Sequence, residues 1–138
     1  ALSYRHTKEQ RYLDAAKRTA SYFMANAALT DYVPLVDFRA PKEPVYYDTT
    51  AAAAAACGML EIEEHVPELE KNLYRKSAEL LISAIDRDWC DYDPQTDGIT
   101  GGGSVSYHEK KHHEKIIYGD YFFVEAVFRL TGKYFMIW

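Results

Sequence analysis

Cysteine is scarce in this chain of 138 residues, which contains only Cys57 and Cys90. Two cysteines are too few for the disulfide framework of a small secreted domain, and they leave the redox compartment undecided. Cys57 lies in an alanine-rich apolar run, where a buried free thiol is the expected state. The class of disulfide-stapled domains is therefore excluded.

Basic residues are in deficit, because 16 Lys and Arg against 21 Asp and Glu give a formal net charge of −5. General affinity for a nucleic-acid backbone needs a surplus of Lys and Arg, so we predict no nucleic-acid partner. No apolar run approaches the roughly 20 residues that a membrane-spanning helix needs, so we predict no membrane partner. Aromatic residues make up 14% of the chain, which suits either a sugar site or an aromatic core.

Proline and glycine are confined to a few places, and the segments between them have helical spacing. Residues 1–6 read as the end of one helix rather than as a natural start. Apolar residues between Glu9 and Ala27 recur three and four positions apart, which predicts an amphipathic helix. Thr7, with Gln10 three residues later, predicts a capping box at its start.

Three further helices are predicted. Asp48 is expected to cap an alanine-rich helix that is buried around most of its circumference. Pro67 is expected to start a helix that runs to about Asp88. The last helix is predicted from Asp120 to Leu130, with a left-handed cap at Gly132. The predicted apolar side of the second of these helices comprises Leu69, Leu73, Leu80, Leu81 and Ile85.

Two long connections separate these helices. Three prolines exclude a long helix over residues 30–47, and an ordered loop of this length is typical of a functional segment. Residues 89–118 contain an Asp-Gly turn and three consecutive glycines, and we predict a short hairpin from Ile99, Val105 and Tyr107. Alternating short and long connections predict an all-α fold of paired helices, either an open superhelix or a closed toroid. No strict repeat supports the superhelical repeat classes.

Four ordered segments are similar to motifs of one family, and together they cover essentially the whole chain. The family counterparts are the segment after an Arg-Gly-Gln-Ala-Trp motif, a Pro-x-Trp-Asp-Phe loop, an Arg-Asp-Ser-Ser-Ala helix and a Tyr-Gly-Asp-Tyr-Tyr-Phe-x-Glu-Ala segment. The chain thereby resembles the C-terminal portion of the unsaturated glucuronyl hydrolases (glycoside hydrolase family 88, with the related family 105). The segments are Ser3–Thr7 with Tyr12–Ala16, Val33–Phe38, Tyr47–Glu61 and Ile117–Ala126.

The resemblance implies that residues 1–138 form a single partial domain, about half of an (α/α)6 six-hairpin barrel with a substrate cleft at one end. It implies a bacterial enzyme that removes the terminal 4,5-unsaturated uronic acid from lyase-generated oligosaccharides, derived from glycosaminoglycans or pectin. In the family, one aspartate protonates the vinyl ether and activates the water that hydrates the double bond. No cofactor is implied, and the compartment is either the cytoplasm or the periplasm.

The family's catalytic aspartates belong to a part that precedes the region resembled here, so we assign no catalytic residue. Asp37, Asp48 and Asp120 are not promoted in their place. We expect this segment alone to be inactive. Half of a barrel exposes apolar helix faces, so we also expect self-association.

The loop from Gly103 to Lys111 is the main candidate for substrate contact, because the corresponding loop borders the substrate in the family. Some members carry a Ser-x-x-Ser-x-Lys pattern that contacts a sulfate. Ser106 and Lys111 fit it, but Glu109 replaces the second serine and would repel a sulfate. The predicted substrate-binding residues are Ser104, Ser106, Tyr107, Lys111, Asp37 and Phe38.

Several alternatives stay open at this point. The loop could be a flexible surface turn, Tyr107 could pack beneath it, and Asp37 could have a structural hydrogen-bonding role. His108 and His112 are four apart, but no zinc-binding pattern surrounds them, so we predict no metal and a solvated polar loop. The alternative functions are a non-catalytic helical-hairpin binding module and an unsaturated rhamnogalacturonyl hydrolase.

Overall fold

Helices form where the apolar spacing predicts them. The computed structural model describes residues 1–134, in which no β-strand occurs and three isolated bridges link loop residues. Short and long connections alternate between the helices, as predicted. The helices are α1 (Leu2–Thr7), α2 (Gln10–Ala27), α3 (Thr49–Glu63), α4 (Glu68–Trp89) and α5 (Ile117–Leu130), with a 3-10 turn at Ala28–Thr30.

Helix α3 lies at the centre of the core and packs against α4, α5 and α2. Its run of alanines explains this position, because small side chains let neighbouring helices approach closely. Ala52, Ala53 and Ala56 have no exposed surface, and Met59 and Leu60 are also buried. The predicted burial around most of this helix is confirmed. None of the helices within residues 1–134 is both long and apolar enough to cross a bilayer.

The capping box predicted at the start of α2 is wrong. Thr7 is instead the last residue of α1, and Lys8 adopts a left-handed conformation that reverses the chain. The N-cap of α2 is Glu9, whose side chain makes no capping hydrogen bond. The Thr7 hydroxyl accepts a hydrogen bond from the Glu9 N–H at 3.2 Å and donates one to the Ser3 carbonyl. The Thr7 side chain therefore stabilises the chain reversal between α1 and α2.

The ends of α5 follow the predicted cap but not the predicted start. The helix begins at Ile117, three residues before Asp120, whose carboxylate accepts a hydrogen bond from the neighbouring loop instead of capping the helix. Gly132 has a φ of 71°, and the Lys133 N–H donates to the Phe128 carbonyl at 2.9 Å. This pattern is a Schellman ending, so the predicted left-handed cap is confirmed.

The predicted apolar face of α4 is partly wrong. Leu81 and Ile85 are fully buried, but Leu69 is 98% exposed, and Leu73 and Leu80 are exposed too. The helix carries two apolar stripes, and α3 and α5 pack against only one of them. The buried face comprises Tyr74, Ser77, Ala78, Leu81, Ile82, Ala84 and Ile85.

A buried ion network fastens α1 and α5 to the C-terminal end of α3. The Glu61 side chain is 2% exposed and accepts hydrogen bonds from Arg5 at 2.5 and 2.8 Å. Arg129 of α5 donates to the same carboxylate at 3.2 Å, and His65 lies 3.0 Å from it. Burial alone would raise the pKa of Glu61, but the hydrogen bonds from Arg5 and His65 lower it to about 2.

Candidate functional site

The first connector, residues 31–48, folds back on itself at the N-terminal end of α3. The Val36 N–H donates to the Tyr46 carbonyl, and the Asp48 N–H donates to the Pro34 carbonyl, each at 2.9 Å. Leu35 and Tyr47 form an antiparallel bridge between these two hydrogen bonds. The prolines prevent a helix here, as predicted, and the backbone satisfies its polar groups by this local pairing.

The second connector, residues 90–116, is held by α5. One oxygen of the Asp120 carboxylate accepts hydrogen bonds from the Ile99 N–H at 2.9 Å and from the N–H and hydroxyl of Thr100 at 2.7 and 3.0 Å. The predicted hairpin is wrong, because the bridges pair Cys90 with Thr100 and Gly103 with Glu114 instead. The glycine run passes close to α3, where Gly102 lies beside Thr49 and Gly103 beside Thr50.

Asp48 joins the two connectors. Its carboxylate caps α3 by accepting from the Thr50 N–H at 3.1 Å, and it also accepts from the Ser104 N–H at 3.3 Å. Burial raises the pKa of this carboxyl, while the backbone hydrogen bonds act in the opposite direction. Thr49 adds hydrogen bonds to the carbonyls of Gly101 and Gly102. The predicted cap is confirmed, and its second hydrogen bond brings the glycine-rich loop to the same end of the barrel segment.

Aromatic contacts strengthen this junction. The Tyr46 ring stacks on His112 with 3.5 Å between centroids, and the Tyr47 N–H donates to Nε2 of His113 at 3.0 Å. Burial lowers the pKa of His113, which favours the neutral ring that can accept this hydrogen bond. His112 is half-buried against the Tyr46 ring, whereas His113 is exposed, as the prediction of a solvated polar loop has it. Both histidines join the two connectors.

A cleft of about 440 Å³ lies where the connectors meet. It has an apolar wall of aromatic and aliphatic side chains and a polar rim that contains a carboxylate, a serine, a tyrosine and an imidazole. Such a combination of apolar surface and a few polar groups is typical of small-ligand sites. Its lining comprises Phe23 of α2, Leu35–Phe38 of the first connector, Ala51 of α3 and Val105–His108 of the second connector.

Four of the six predicted substrate-binding residues lie together around this cleft: Asp37, Phe38, Ser106 and Tyr107. One oxygen of Asp37 accepts from the Arg39 N–H at 2.8 Å, so this residue also has the structural role that the sequence left open. The Tyr107 hydroxyl donates to the Glu43 carbonyl at 3.3 Å and thereby ties the rim to the other connector. Contact of these four residues with substrate stays a prediction.

The other two predicted residues do not line the cleft. Ser104 is buried, and its hydroxyl accepts from the His113 N–H at 3.2 Å, so its side chain shapes the loop. Lys111 is exposed and lies outside the cleft lining. The serine pattern in the sequence gives no information on which side of the loop each side chain points to.

Six cleft residues were absent from the predicted substrate-binding set: Phe23, Leu35, Val36, Ala51, Val105 and His108. Phe23 was assigned to the apolar face of α2, and His108 was weighed as a metal ligand although it lies in the candidate loop. The sequence signal that could have indicated them was a position near the end of a helix or beside predicted site residues. Within residues 1–134, no three His, Cys, Asp or Glu side chains gather as a metal site requires, and the absence of a metal stays a prediction.

Comparison with known proteins shows relatives over nearly the whole chain. The unsaturated glucuronyl hydrolase of Bacillus sp. (strain GL1) is 33% identical over 94% of the chain and 36% of its own length. An unsaturated chondroitin disaccharide hydrolase of Streptococcus pneumoniae is 30% identical over 99% of the chain and 36% of its own length. The chain thus spans about a third of the length of these relatives. No protein-family model matches it.

The fold agrees with a solved unsaturated glucuronyl hydrolase that carries the ligand dGlcA-Glc-Rha-Glc. The two share a TM-score of 0.86 and 31% identity over 94% of this chain and 35% of the other. The chain is therefore part of an (α/α)6-barrel protein, which confirms the predicted all-α fold class. The family is that of the unsaturated glucuronyl hydrolases, and the chain corresponds to a portion of one of its members.

Proposed function

We propose that the protein containing this chain removes the terminal 4,5-unsaturated uronic acid from lyase-generated oligosaccharides by hydrating the vinyl ether double bond. The single observation that carries the proposal is the meeting of both connectors around one aromatic cleft, in a chain similar to these hydrolases over 94% of its length. Relatives named for chondroitin disaccharides and for glucuronyl groups support glycosaminoglycan-derived substrates. A location in the bacterial cytoplasm or periplasm stays a prediction.

The described residues suit sugar binding rather than bond cleavage. Phe23, Phe38 and Tyr107 offer aromatic surface for the apolar face of a pyranose ring, while Asp37 and Ser106 offer an acceptor and a donor for its hydroxyls. We assign no catalytic residue to this chain and expect the acid to come from elsewhere in the complete protein. Glu109 in the same loop stays a predicted obstacle to sulfated sugars, because a carboxylate repels a sulfate.

The aromatic lining also separates the alternatives. A helical-hairpin binding module for peptides would present a polar concave face, and here Phe23, Val36 and Phe38 form an apolar wall. This lining favours the hydrolase. An unsaturated rhamnogalacturonyl hydrolase would use a similar cleft, so the choice of substrate decides between the two hydrolases.

The proposal is tested by assaying the complete protein on unsaturated disaccharides made by glycosaminoglycan and pectin lyases. Hydration removes the conjugated uronate, so the ultraviolet absorbance should fall with time. The 138-residue chain alone serves as the control and should show no turnover. Absence of any fall with every disaccharide would overturn the proposal, and turnover of the pectin-derived substrates alone would indicate the rhamnogalacturonyl alternative.

A further inference from the structure

A ladder of aromatic rings continues from the cleft onto the outer surface. Phe38 lines the cleft, and its ring meets Phe23 edge-to-face with 5.5 Å between centroids. The same ring also meets Tyr22 edge-to-face with 5.9 Å between centroids. Tyr22 is not part of the cleft lining, so the ladder reaches beyond the cleft.

Tyr22 presents much of its ring to solvent. It is 55% exposed, and its hydroxyl has no hydrogen-bond partner among residues 1–134. A single exposed aromatic is ordinary on a protein surface. Here, however, the contact with Phe38, which lines the cleft, places the ring directly beside a candidate ligand site.

The size of the cleft explains why a sugar contact at Tyr22 would matter for binding. About 440 Å³ lies toward the lower end of the roughly 300–1,000 Å³ typical of ligand sites. An oligosaccharide longer than a disaccharide would extend out of such a space. A tyrosine ring offers an apolar face for the carbon–hydrogen side of a pyranose and a hydroxyl for its polar edge.

We propose that Tyr22, supported by Phe38, forms an accessory subsite that binds the sugar next to the cleft and favours substrates longer than a disaccharide. This inference rests on the proposed function, since it names a substrate preference of the same site. Phe38 positions the ring, and Tyr22 contacts the sugar. The subsite contributes binding and takes no part in the chemistry.

The test compares the complete protein and its Tyr22→Ala variant on an unsaturated disaccharide and on a tetrasaccharide with the same terminal uronate. We expect kcat/KM for the tetrasaccharide to fall about fivefold, as loss of one aromatic contact predicts, with little change for the disaccharide. Tyr22→Phe should retain most of the preference, because the stacking face remains. Leu29→Ala is the control, because Leu29 is exposed just beyond the same helix and lies outside the aromatic ladder.

The outcomes separate the two proposals. Activity on both substrates with an unchanged ratio in Tyr22→Ala would overturn the accessory subsite and leave the proposed function standing. An equal loss on both substrates would also overturn it, because the residue would then support the fold or the cleft itself. Inactivity of the unaltered protein on every unsaturated oligosaccharide would overturn both.

Discussion

At the scale of single residues, acidic side chains do more than the sequence indicates. Asp48 and Asp120 were expected near helix starts, and both lie there. Each also holds a loop that is distant in sequence: Asp48 has lone pairs left after it caps α3, and the Asp120 carboxylate accepts from Ile99 and Thr100. The cap could be predicted from local sequence, but the loop contacts could not.

The ionisation of Glu61 predicts how the free energy of unfolding changes in acid. Its pKa in the folded chain is about 2, compared with 4.5 for an unperturbed glutamate. As the pH falls from 5 to 2, the unfolded chain binds this proton first, so the free energy of unfolding should decrease. The expected loss is about 3 kcal/mol, measured by denaturant unfolding across this pH range.

The variant Glu61→Gln should be less stable at neutral pH, because Arg5 and Arg129 lose their partner. Its stability should also depend less on pH between 5 and 2. Glu68→Gln is the control, since that side chain is 86% exposed and should leave the pH dependence intact. An equally steep pH dependence in Glu61→Gln would show that other carboxyls carry the effect.

At the scale of elements, the glycine run is the point where the second connector approaches α3 and α4 most closely. Gly102 has a φ of 77°, and a Cβ placed there would lie 2.4 Å from the Trp89 ring and 2.8 Å from Thr49. Only glycine fits both the backbone conformation and the space. The end of α4 and the start of α3 can therefore meet around it.

We expect Gly102→Ala to lower the free energy of unfolding by about 3 kcal/mol, from left-handed strain and overpacking together. Gly101→Ala is a matched control, because its nearest contact is an ordinary 3.5 Å to the Trp89 carbonyl. That control should cost less than about 1 kcal/mol. Thermal or denaturant unfolding measures both, and equal losses would contradict the close approach at Gly102.

Helices and connectors differ in how far the sequence predicts them. The bounds of α2 follow from apolar spacing and the start of α3 from the Asp48 cap, since both depend on neighbours within a turn or two. The apolar face of α4 was only half right, because two leucine-bearing stripes compete and the partner helix selects one. In the site, Phe38 and Tyr107 were found through the family resemblance. Phe23 was missed because a ring on a packing face looks the same as a ring at a cleft.

At the scale of the whole molecule, the isolated chain exposes an apolar stripe. Leu69, Leu73 and Leu80 lie on one face of α4 and are all exposed. The relatives are about three times as long, so further helices are available in such proteins to cover apolar faces. In the 138-residue chain alone, a second copy is the available cover.

We therefore expect the isolated chain to sediment at more than its 15.9 kDa. Leu73→Glu places a charge in the stripe and should shift the chain toward monomer in sedimentation velocity. Asn72→Glu adds the same charge to a neighbouring exposed position beside the stripe and is the control. A monomeric unaltered chain, or an equal shift in both variants, would contradict association through this face.

The sequence by itself determined the helices, the caps at Asp48 and Gly132 and the all-α class, because hydrogen bonds and apolar spacing within a helix are local. Only the tertiary structure decided which face of α4 is buried and which loop residues share a cleft. Those choices depend on side chains such as Asp48 and Ser104, which lie 56 residues apart in sequence and meet when the helices pack. Packing, unlike helix formation, depends on the whole chain at once.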